Sequence, residues 1–197
     1  KNINNIDGKT MGVIFPDNIN EIKNVVKSTC HDIIARGGGT SFTGAVIPKN
    51  SVIIDFSKMN KILDINPAKK TAVVEPGVLI SELNEELEQY GLEFPIKTIF
   101  SGIETIGGII AKNSSGNQEI KYNRAINWVD SLEVVNAKGE QIKISKSDLS
   151  DFVGMEGTTG LIIQATLRLT NKKPKTITIL KGNTLQDVFA ANRKLYR

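Results

Sequence analysis

The chain has 197 residues, 40% of them hydrophobic, and its 25 Lys and Arg against 21 Asp and Glu give a formal net charge of +4. This size and composition predict a soluble globular protein with one large domain or two small lobes. They exclude a membrane span, which needs roughly 20 consecutive apolar residues, and the scattered lysines with few aromatics argue against nucleic-acid binding.

A few residues indicate the cellular compartment and restrict the kinds of metal site that the chain could form. The first residues, Lys1 to Asn5, lack the apolar stretch of a signal peptide, so we predict a cytoplasmic protein. The single cysteine, Cys30, permits no internal disulfide, and the single histidine, His31, excludes a His-rich metal cluster. Cys30 and His31 are adjacent in sequence and cannot readily face each other as a catalytic pair, so a structural role is expected.

The opening of the chain predicts a β-α-β unit. An apolar run over residues 11–15 indicates a strand, and Asp17 or Asn18 can cap a helix whose apolar residues between 19 and 26 have helical spacing. A second strand follows at residues 33–35 and leads into a glycine-rich loop. In open α/β sheets, ligands bind at this carboxyl end of the strands.

The loop after this strand contains Gly37, Gly38 and Gly39, followed by hydroxyl side chains including Thr40 and Ser41. Residues without a Cβ let the backbone turn sharply and bring its N–H groups close to an anion, which predicts a phosphate cradle. A flexible turn after a strand is an equally good interpretation of the glycines alone.

Two familiar phosphate loops do not match this segment. Ala45 and Val46 stand where a nucleotide-triphosphatase loop needs Lys and Ser or Thr, so an ATPase or GTPase is not supported. The dinucleotide fingerprint needs a third glycine where Phe42 stands, so a nicotinamide-binding unit is not supported either.

A second lobe is predicted from about residue 60. A strand over residues 52–56 precedes a hairpin of strands 61–65 and 71–74. Pro76 and Gly77 interrupt this pattern, and Leu79, Leu83 and Leu87 then indicate an amphipathic helix that Gly91 can end.

Residues 101–116 are rich in small residues but also hold Ile103, Ile106, Ile109 and Ile110. We therefore expect a packed segment whose backbone approaches something closely. Ligand contact and close helix-to-sheet packing through a glycine pair at 107–108 are both open at this point.

The remainder predicts a second hairpin (residues 129–136 and 141–144), a glycine-rich block (154–160) and a strand (161–169). An exposed connector at 172–175, a strand at 176–180 and a helix from Leu185 to Leu195 follow. We expect this tail to be the start of a further domain that is cut off.

Four glycine-rich blocks in this order resemble one family, the FAD-binding domains of the p-cresol methylhydroxylase and vanillyl-alcohol oxidase type (PCMH-type). Within it, the chain is most similar to the flavin subunit of glycolate oxidase and its D-lactate dehydrogenase relatives. The resemblance covers about residues 11 to 170. The blocks are 36–41 with Gly44 and Pro48, 74–78, 105–108 continuing through 113–116, and 154–162.

The resemblance implies an α+β fold (α/β mixed) with two lobes: a small β-α-β lobe over about residues 1–58 and a larger mixed-sheet lobe over 59–170, with FAD between them. Residues 171–197 are then a connector and the start of a truncated substrate domain. Some members bond the flavin through a histidine where Thr40 stands here, so non-covalent FAD is predicted. The implied cofactor-binding residues are Arg36, Gly37, Gly38, Gly39, Thr40, Ser41, Gly44, Pro76, Gly77, Ser101, Thr105, Ile106, Gly107, Gly108, Ala111, Asn113, Ser115, Gly116, Gly160 and Ile162.

Some positions depart from the family pattern. Ser114 and Ser115 stand where relatives often have small residues and a second glycine, and Asn123 follows Tyr122 where relatives have a glycine.

The implied function is oxidation of a 2-hydroxy acid of the glycolate or D-lactate type by hydride transfer to FAD. The substrate is held largely by the following domain in relatives, so no catalytic residue is assigned here. The electron acceptor and partner subunits stay open. Two alternatives are kept: a non-catalytic module that binds another phosphorylated ligand or a partner chain, and an FAD-dependent alkyl-ether-lipid synthase.

Overall fold

The computed structural model describes residues 7–174 and 179–195, and the elements below belong to that part of the chain. The first lobe contains β1 (Lys9–Ile14), α1 (Ile19–Ser28), β2 (Ile33–Arg36) and β3 (Lys49–Asp55). The rest comprises β4 (Ile62–Asn66), β5 (Thr71–Val74), α2 (Ile80–Glu88), β6 (Leu92–Glu93), α3 (Ile106–Lys112), α4 (Glu119–Tyr122), β7 (Val129–Val135), β8 (Gln141–Ile144), β9 (Leu161–Arg168), β10 (Thr170–Asn171) and α5 (Leu185–Leu195).

The small lobe is the predicted β-α-β unit. Its strands are parallel in the order β1-β3-β2. Helix α1 begins after Asn18, whose side-chain oxygen accepts a hydrogen bond from the Glu21 amide at 3.1 Å. Such a cap satisfies a backbone donor that has no partner within the helix. In the β2–β3 register Arg36 lies opposite Asp55, so the carboxyl ends of both strands meet at one edge of the sheet.

The larger lobe is built on a five-stranded sheet in the order β4-β5-β9-β7-β8. The prediction of two lobes in an α+β fold is confirmed, but the larger sheet differs from the mixed sheet expected for it, because each of these pairings is antiparallel. Short turns join β4 to β5 and β7 to β8, and a short turn can only join antiparallel neighbours.

The buried apolar residues form two clusters, one within the large lobe and one between the lobes. Helices α2 and α3 cover one face of the large sheet with fully buried side chains, among them Leu83 and Ile109. The opposite face contributes Leu161 and Ile163 to a second cluster that includes Ile22 of α1. The small lobe therefore packs directly on the large sheet, since one cluster contains residues of both.

Several details differ from the sequence-based expectations. Ile103, expected to be packed, is 55% exposed, because it lies in the turn before α3 rather than on the helix. Helix α4 and the short β6–β10 pair were not predicted. The expected strand at 176–180 falls largely outside the described residues, whereas α5 is confirmed with Leu185 and Phe189 largely exposed. Among the described helices, none has the length and apolar character needed to cross a membrane.

Candidate functional site

A cleft that is open to solvent lies between the glycine-rich loop after β2 and the first turn of α3. It brings together residues from all four glycine-rich blocks, the second of which contributes Pro76. The lining is Ala35, Arg36, Gly37, Gly38, Gly39, Thr40, Ser41, Ala45, Val46, Phe56, Pro76, Glu104, Thr105, Gly107, Gly108, Ala111, Lys112, Glu156, Gly157, Gly160 and Ile162.

The start of the glycine-rich loop is fixed by an ion pair at the ends of two strands. The Arg36 Nη1 lies 3.0 Å from Asp55 Oδ2, and the Asp55 side chain is only 6% exposed. Asp55 also accepts a hydrogen bond from the Ser57 amide at 3.0 Å. The guanidinium lies against Gly39, where a Cβ would be 3.2 Å from Arg36 Nη2. The loop therefore leaves the sheet in a set direction.

Glycine is required at two consecutive positions of the loop because the opposite wall is so close. A Cβ on Gly37 would lie 2.2 Å from Thr105 Oγ1, and one on Gly38 would lie 1.8 Å from the Ile103 carbonyl oxygen. Real Cβ atoms essentially never approach a heavy atom within 3.0 Å. The glycines thus let the loop backbone pack directly on the segment before α3, rather than serving only as a flexible turn.

The loop presents a series of backbone donors. Four consecutive backbone amides donate no hydrogen bond to any residue within the described ranges 7–174 and 179–195. They belong to Gly38, Gly39, Thr40 and Ser41. Gly39 has φ +68°, in the left-handed region. Successive N–H groups in such a turn form a concave site that can hold an anion.

The loop hydroxyls hydrogen-bond to side chains around them. Thr40 Oγ1 donates to Glu104 Oε1 at 3.3 Å, and Thr43 Oγ1 donates to Glu156 Oε2 at 3.4 Å. The Ser41 and Thr43 hydroxyl oxygens are 2.8 Å apart, and either of them can be the donor. The contacts of the Thr40 and Ser41 hydroxyls with an anion stay a prediction. The backbone amides from Gly38 to Ser41 have no partner among the described residues and are open to an anion.

The opposite wall is the first turn of α3. Thr105, 5% exposed, caps the helix with Oγ1 3.3 Å from the Gly108 amide. A Cβ on Gly107 would lie 2.8 Å from Pro76 Cβ, whereas one on Gly108 would meet only Thr105 Oγ1, at 3.3 Å. Gly107 therefore allows close packing against Pro76, and both glycines line the cleft. Contact of the pair with a ligand stays a prediction.

A third wall comes from the glycine-rich block before β9. Glu156 and Gly157 both have positive φ, at 51° and 83°. A Cβ on Gly157 would be 3.6 Å from Ala35 Cβ, so the block lies against β2. Gly160 and Ile162 continue this wall.

Three charged side chains of the cleft lining, Glu104, Lys112 and Glu156, were not predicted from the sequence. Glu104 is 4% exposed and accepts hydrogen bonds from Lys112 Nζ at 2.8 Å and from the hydroxyl of Thr98. Glu104, Lys112 and Glu156 all line the cleft. Glu104 lies just before α3, and Lys112 is the last residue of that helix. Because Glu104 is not part of the helix, helical spacing does not predict the pair. Ala35, Ala45, Val46, Phe56 and Gly157 are further lining residues absent from the prediction.

Some predicted site residues lie outside the lining, and their part in the site stays a prediction. Gly77 packs under the small lobe, where a Cβ would be 2.0 Å from the Phe56 carbonyl oxygen. Ile106 is fully buried in the core. Asn113, with φ +48°, ends α3 and accepts a hydrogen bond from the Ile126 amide at 3.0 Å. The other members of this group are Gly44, Ser101, Ser115 and Gly116.

Comparison with known proteins places this cleft in context. The family described as an FAD binding domain matches residues 10–145, more than half of the chain. The D-2-hydroxyglutarate dehydrogenase of Stutzerimonas stutzeri is 32% identical over 181 residues, covering 85% of this chain and 39% of that protein. Glycolate oxidase subunit GlcD of Bacillus subtilis is 35% identical over 201 residues, covering 91% and 43%.

Solved structures agree with the fold. An alkyldihydroxyacetonephosphate synthase superposes with a TM-score of 0.74 at 26% identity, covering 81% of this chain and 31% of that one. The chain spans about two fifths of the length of the two curated relatives above. The family match confirms the resemblance carried by the glycine-rich blocks. The chain therefore belongs to the FAD-binding domain family, and FAD is its cofactor.

Proposed function

We propose that this chain is the FAD-binding part of a flavin-dependent oxidoreductase that oxidises a 2-hydroxy acid. The support comes from the relatives, whose names specify glycolate oxidase and D-2-hydroxyglutarate dehydrogenase. Glycolate and 2-hydroxyglutarate both carry a hydroxyl on the carbon next to a carboxylate. The proposal concerns the activity of a whole protein, of which this chain matches the FAD-binding portion.

The cleft fits the diphosphate of FAD by its shape and its donors. Loop and wall approach so closely that no Cβ is tolerated at Gly37 or Gly38, and the following amides point to no partner among the described residues. A diphosphate that is held, rather than transferred, needs no catalytic metal, and backbone amide dipoles can bind it. This observation carries the FAD-binding part of the proposal, and the relatives carry the substrate class.

The residues that would hold FAD divide along the cleft. The amides of the loop from Gly38 to Ser41 would hold the diphosphate. Pro76, the Thr105–Gly108 turn and Ala111 would line the flavin and its ribityl chain, and Gly160 with Ile162 would meet the adenine end. When bound, FAD supplies the ring that accepts a hydride from the substrate carbon. Thr40 offers no histidine nitrogen, so the binding is non-covalent.

The domain division is part of the proposal. Residues 1–170 form the FAD-binding domain, with lobes that divide near residue 58, and residues 171–197 connect it to a substrate domain. The direct packing of α1 on the large sheet supports treating both lobes as one unit. Substrate contacts and the catalytic base are then supplied outside the cleft described here.

The activity is tested on the whole protein that carries this chain. Anaerobic mixing with glycolate, D-lactate or D-2-hydroxyglutarate is expected to bleach the flavin absorption, and the L enantiomers serve as controls for the two chiral acids. A flavin absorption that stays unchanged with all three acids would contradict the proposal.

A second candidate function is favoured by one observation, the TM-score of 0.74 with an alkyldihydroxyacetonephosphate synthase. This candidate predicts formation of an alkyldihydroxyacetonephosphate by the whole protein and no bleaching by hydroxy acids. A third, a module for another phosphorylated ligand, predicts that ADP-ribose competes with FAD at equal or lower concentration.

A further inference from the structure

The two carboxylates that line the cleft repel a diphosphate, so its binding there is favoured by a nearby cation. Glu104 and Glu156 both line it, and both accept hydrogen bonds from the glycine-rich loop. Glu104 is 4% exposed, so water screens its charge little. A diphosphate that approaches the loop amides therefore meets two carboxylates.

Two cations line the cleft in the described part of the chain, and Arg36 is one of them. One nitrogen of its guanidinium pairs with Asp55 at the base of the loop. The side chain is 45% exposed and keeps further N–H donors, so Arg36 offsets part of this negative charge. The other cation among the described residues that line the cleft is Lys112.

Lys112 is placed to serve as an anion ligand. Its ammonium has three N–H donors, of which one points to Glu104 Oε1 at 2.8 Å, and the described residues offer no second partner. Its side chain is 31% exposed and lines the cleft. The same Glu104 oxygen accepts from Thr40, so the ammonium is held at the glycine-rich loop.

We propose that Lys112 is a binding residue for the diphosphate of FAD and that Glu104 is the positioning residue that holds its ammonium toward the loop. The inference rests on the proposed FAD site and adds to it a cation that neither the glycine-rich blocks nor the family match assigns. Glu104 restricts the flexible lysine stem before the ligand arrives, which lowers the entropy lost on binding.

The test is the dissociation constant for FAD, measured by quenching of flavin fluorescence with the purified chain. Lys112→Met is expected to raise it by about 10- to 100-fold, the range for losing a hydrogen bond to a charged group. Lys97→Met is the matched control, because Lys97 pairs with the buried Glu93 at 2.7 Å, is 35% exposed and lies outside the cleft lining. Equal dissociation constants for the two variants would overturn the inference.

ADP serves as a second probe because it carries the diphosphate without the flavin. Lys112→Met is expected to raise the dissociation constant for ADP by the same factor as that for FAD. It should also reduce the salt dependence of FAD binding, since one charge contact is lost. A variant that weakens FAD but leaves ADP unchanged would overturn the assignment to the diphosphate.

A double variant separates ligand contact from charge compensation within the protein. Glu104→Gln with Lys112→Met removes both charges, so no buried carboxylate is left unpaired and the fold is expected to persist. FAD binding should stay weak. Recovery of the parent dissociation constant would show that Lys112 only neutralises Glu104, which overturns the inference. Failure of the parent chain to bind FAD would instead refute the proposed function.

Discussion

Replacing Gly38 by alanine probes whether the close approach of loop and wall builds the FAD site. The new Cβ would be placed 1.8 Å from the Ile103 carbonyl oxygen, where real Cβ contacts essentially never fall below 3.0 Å. The atom in the way is backbone, so no side chain can rotate aside. The loop and the Ile103–Thr105 segment must separate by about 1 Å.

The expected effect on binding is larger than the effect on stability. Overpacking of this kind lowers the free energy of unfolding by about 1–3 kcal/mol. A shift of the loop misaligns consecutive amides. Loss of two hydrogen bonds to a charged diphosphate, each about 1.5–3 kcal/mol, raises the FAD dissociation constant by at least about 100-fold.

The assay is fluorescence titration with FAD beside urea unfolding. Gly102→Ala is the matched control, because Gly102 lies in the same wall segment and a Cβ there meets nothing within 4 Å. It should leave both quantities near the parent values. A Gly38→Ala chain that folds and binds FAD as tightly as Gly102→Ala would refute the reasoning.

Three further variants test two contacts at the site and one surface ion pair of the fold. Asp55→Asn removes the carboxylate that holds Arg36, and should lower the free energy of unfolding by about 1–3 kcal/mol; an unchanged urea midpoint would contradict this. Thr105→Val removes the oxygen that caps α3, and should lower stability by about 0.5–2 kcal/mol in thermal unfolding, whereas an equal melting temperature would argue against the cap. Lys172 lowers the pKa of Glu88 through its hydrogen bond and charge, so the pair stabilises the fold above the ordinary carboxyl pKa and loses this effect as the pH falls through the lowered one. Lys172→Met should raise the Glu88 pKa in an NMR titration; an unmoved pKa would show that the contact is not formed in solution.

Much of the framework followed from local patterns in the sequence. Strand β5 was predicted with its observed bounds, Thr71–Val74, and the helices α1 and α2 followed from their caps and apolar spacing. These elements were predictable because each buries one regular face. The β6–β10 pair has only two residues per strand, too few to show a period.

Most glycines of the cleft lining and Arg36 were among the predicted site residues, but the other charged side chains of the lining were not. Gly37, Gly38 and Gly107 were identified because a close contact between two backbone segments requires glycine, and a cluster of glycines is visible in the sequence. The Glu104–Lys112 pair depends on how the turn before α3 folds back on the helix, which no spacing rule indicates. The assignment of Asn113 to the cofactor stays a prediction. Its side-chain oxygen also accepts from the Ile126 amide, a contact that only the tertiary structure reveals.

The central claim is that this chain holds FAD non-covalently in the cleft between the glycine-rich loop and α3. The most direct measurement is the visible absorption spectrum of the purified chain after FAD has been added and the excess removed by gel filtration, repeated on the supernatant after denaturation. The account predicts flavin bands that elute with the folded chain and pass to the supernatant. A colourless chain, or flavin that stays with the denatured protein, would contradict it.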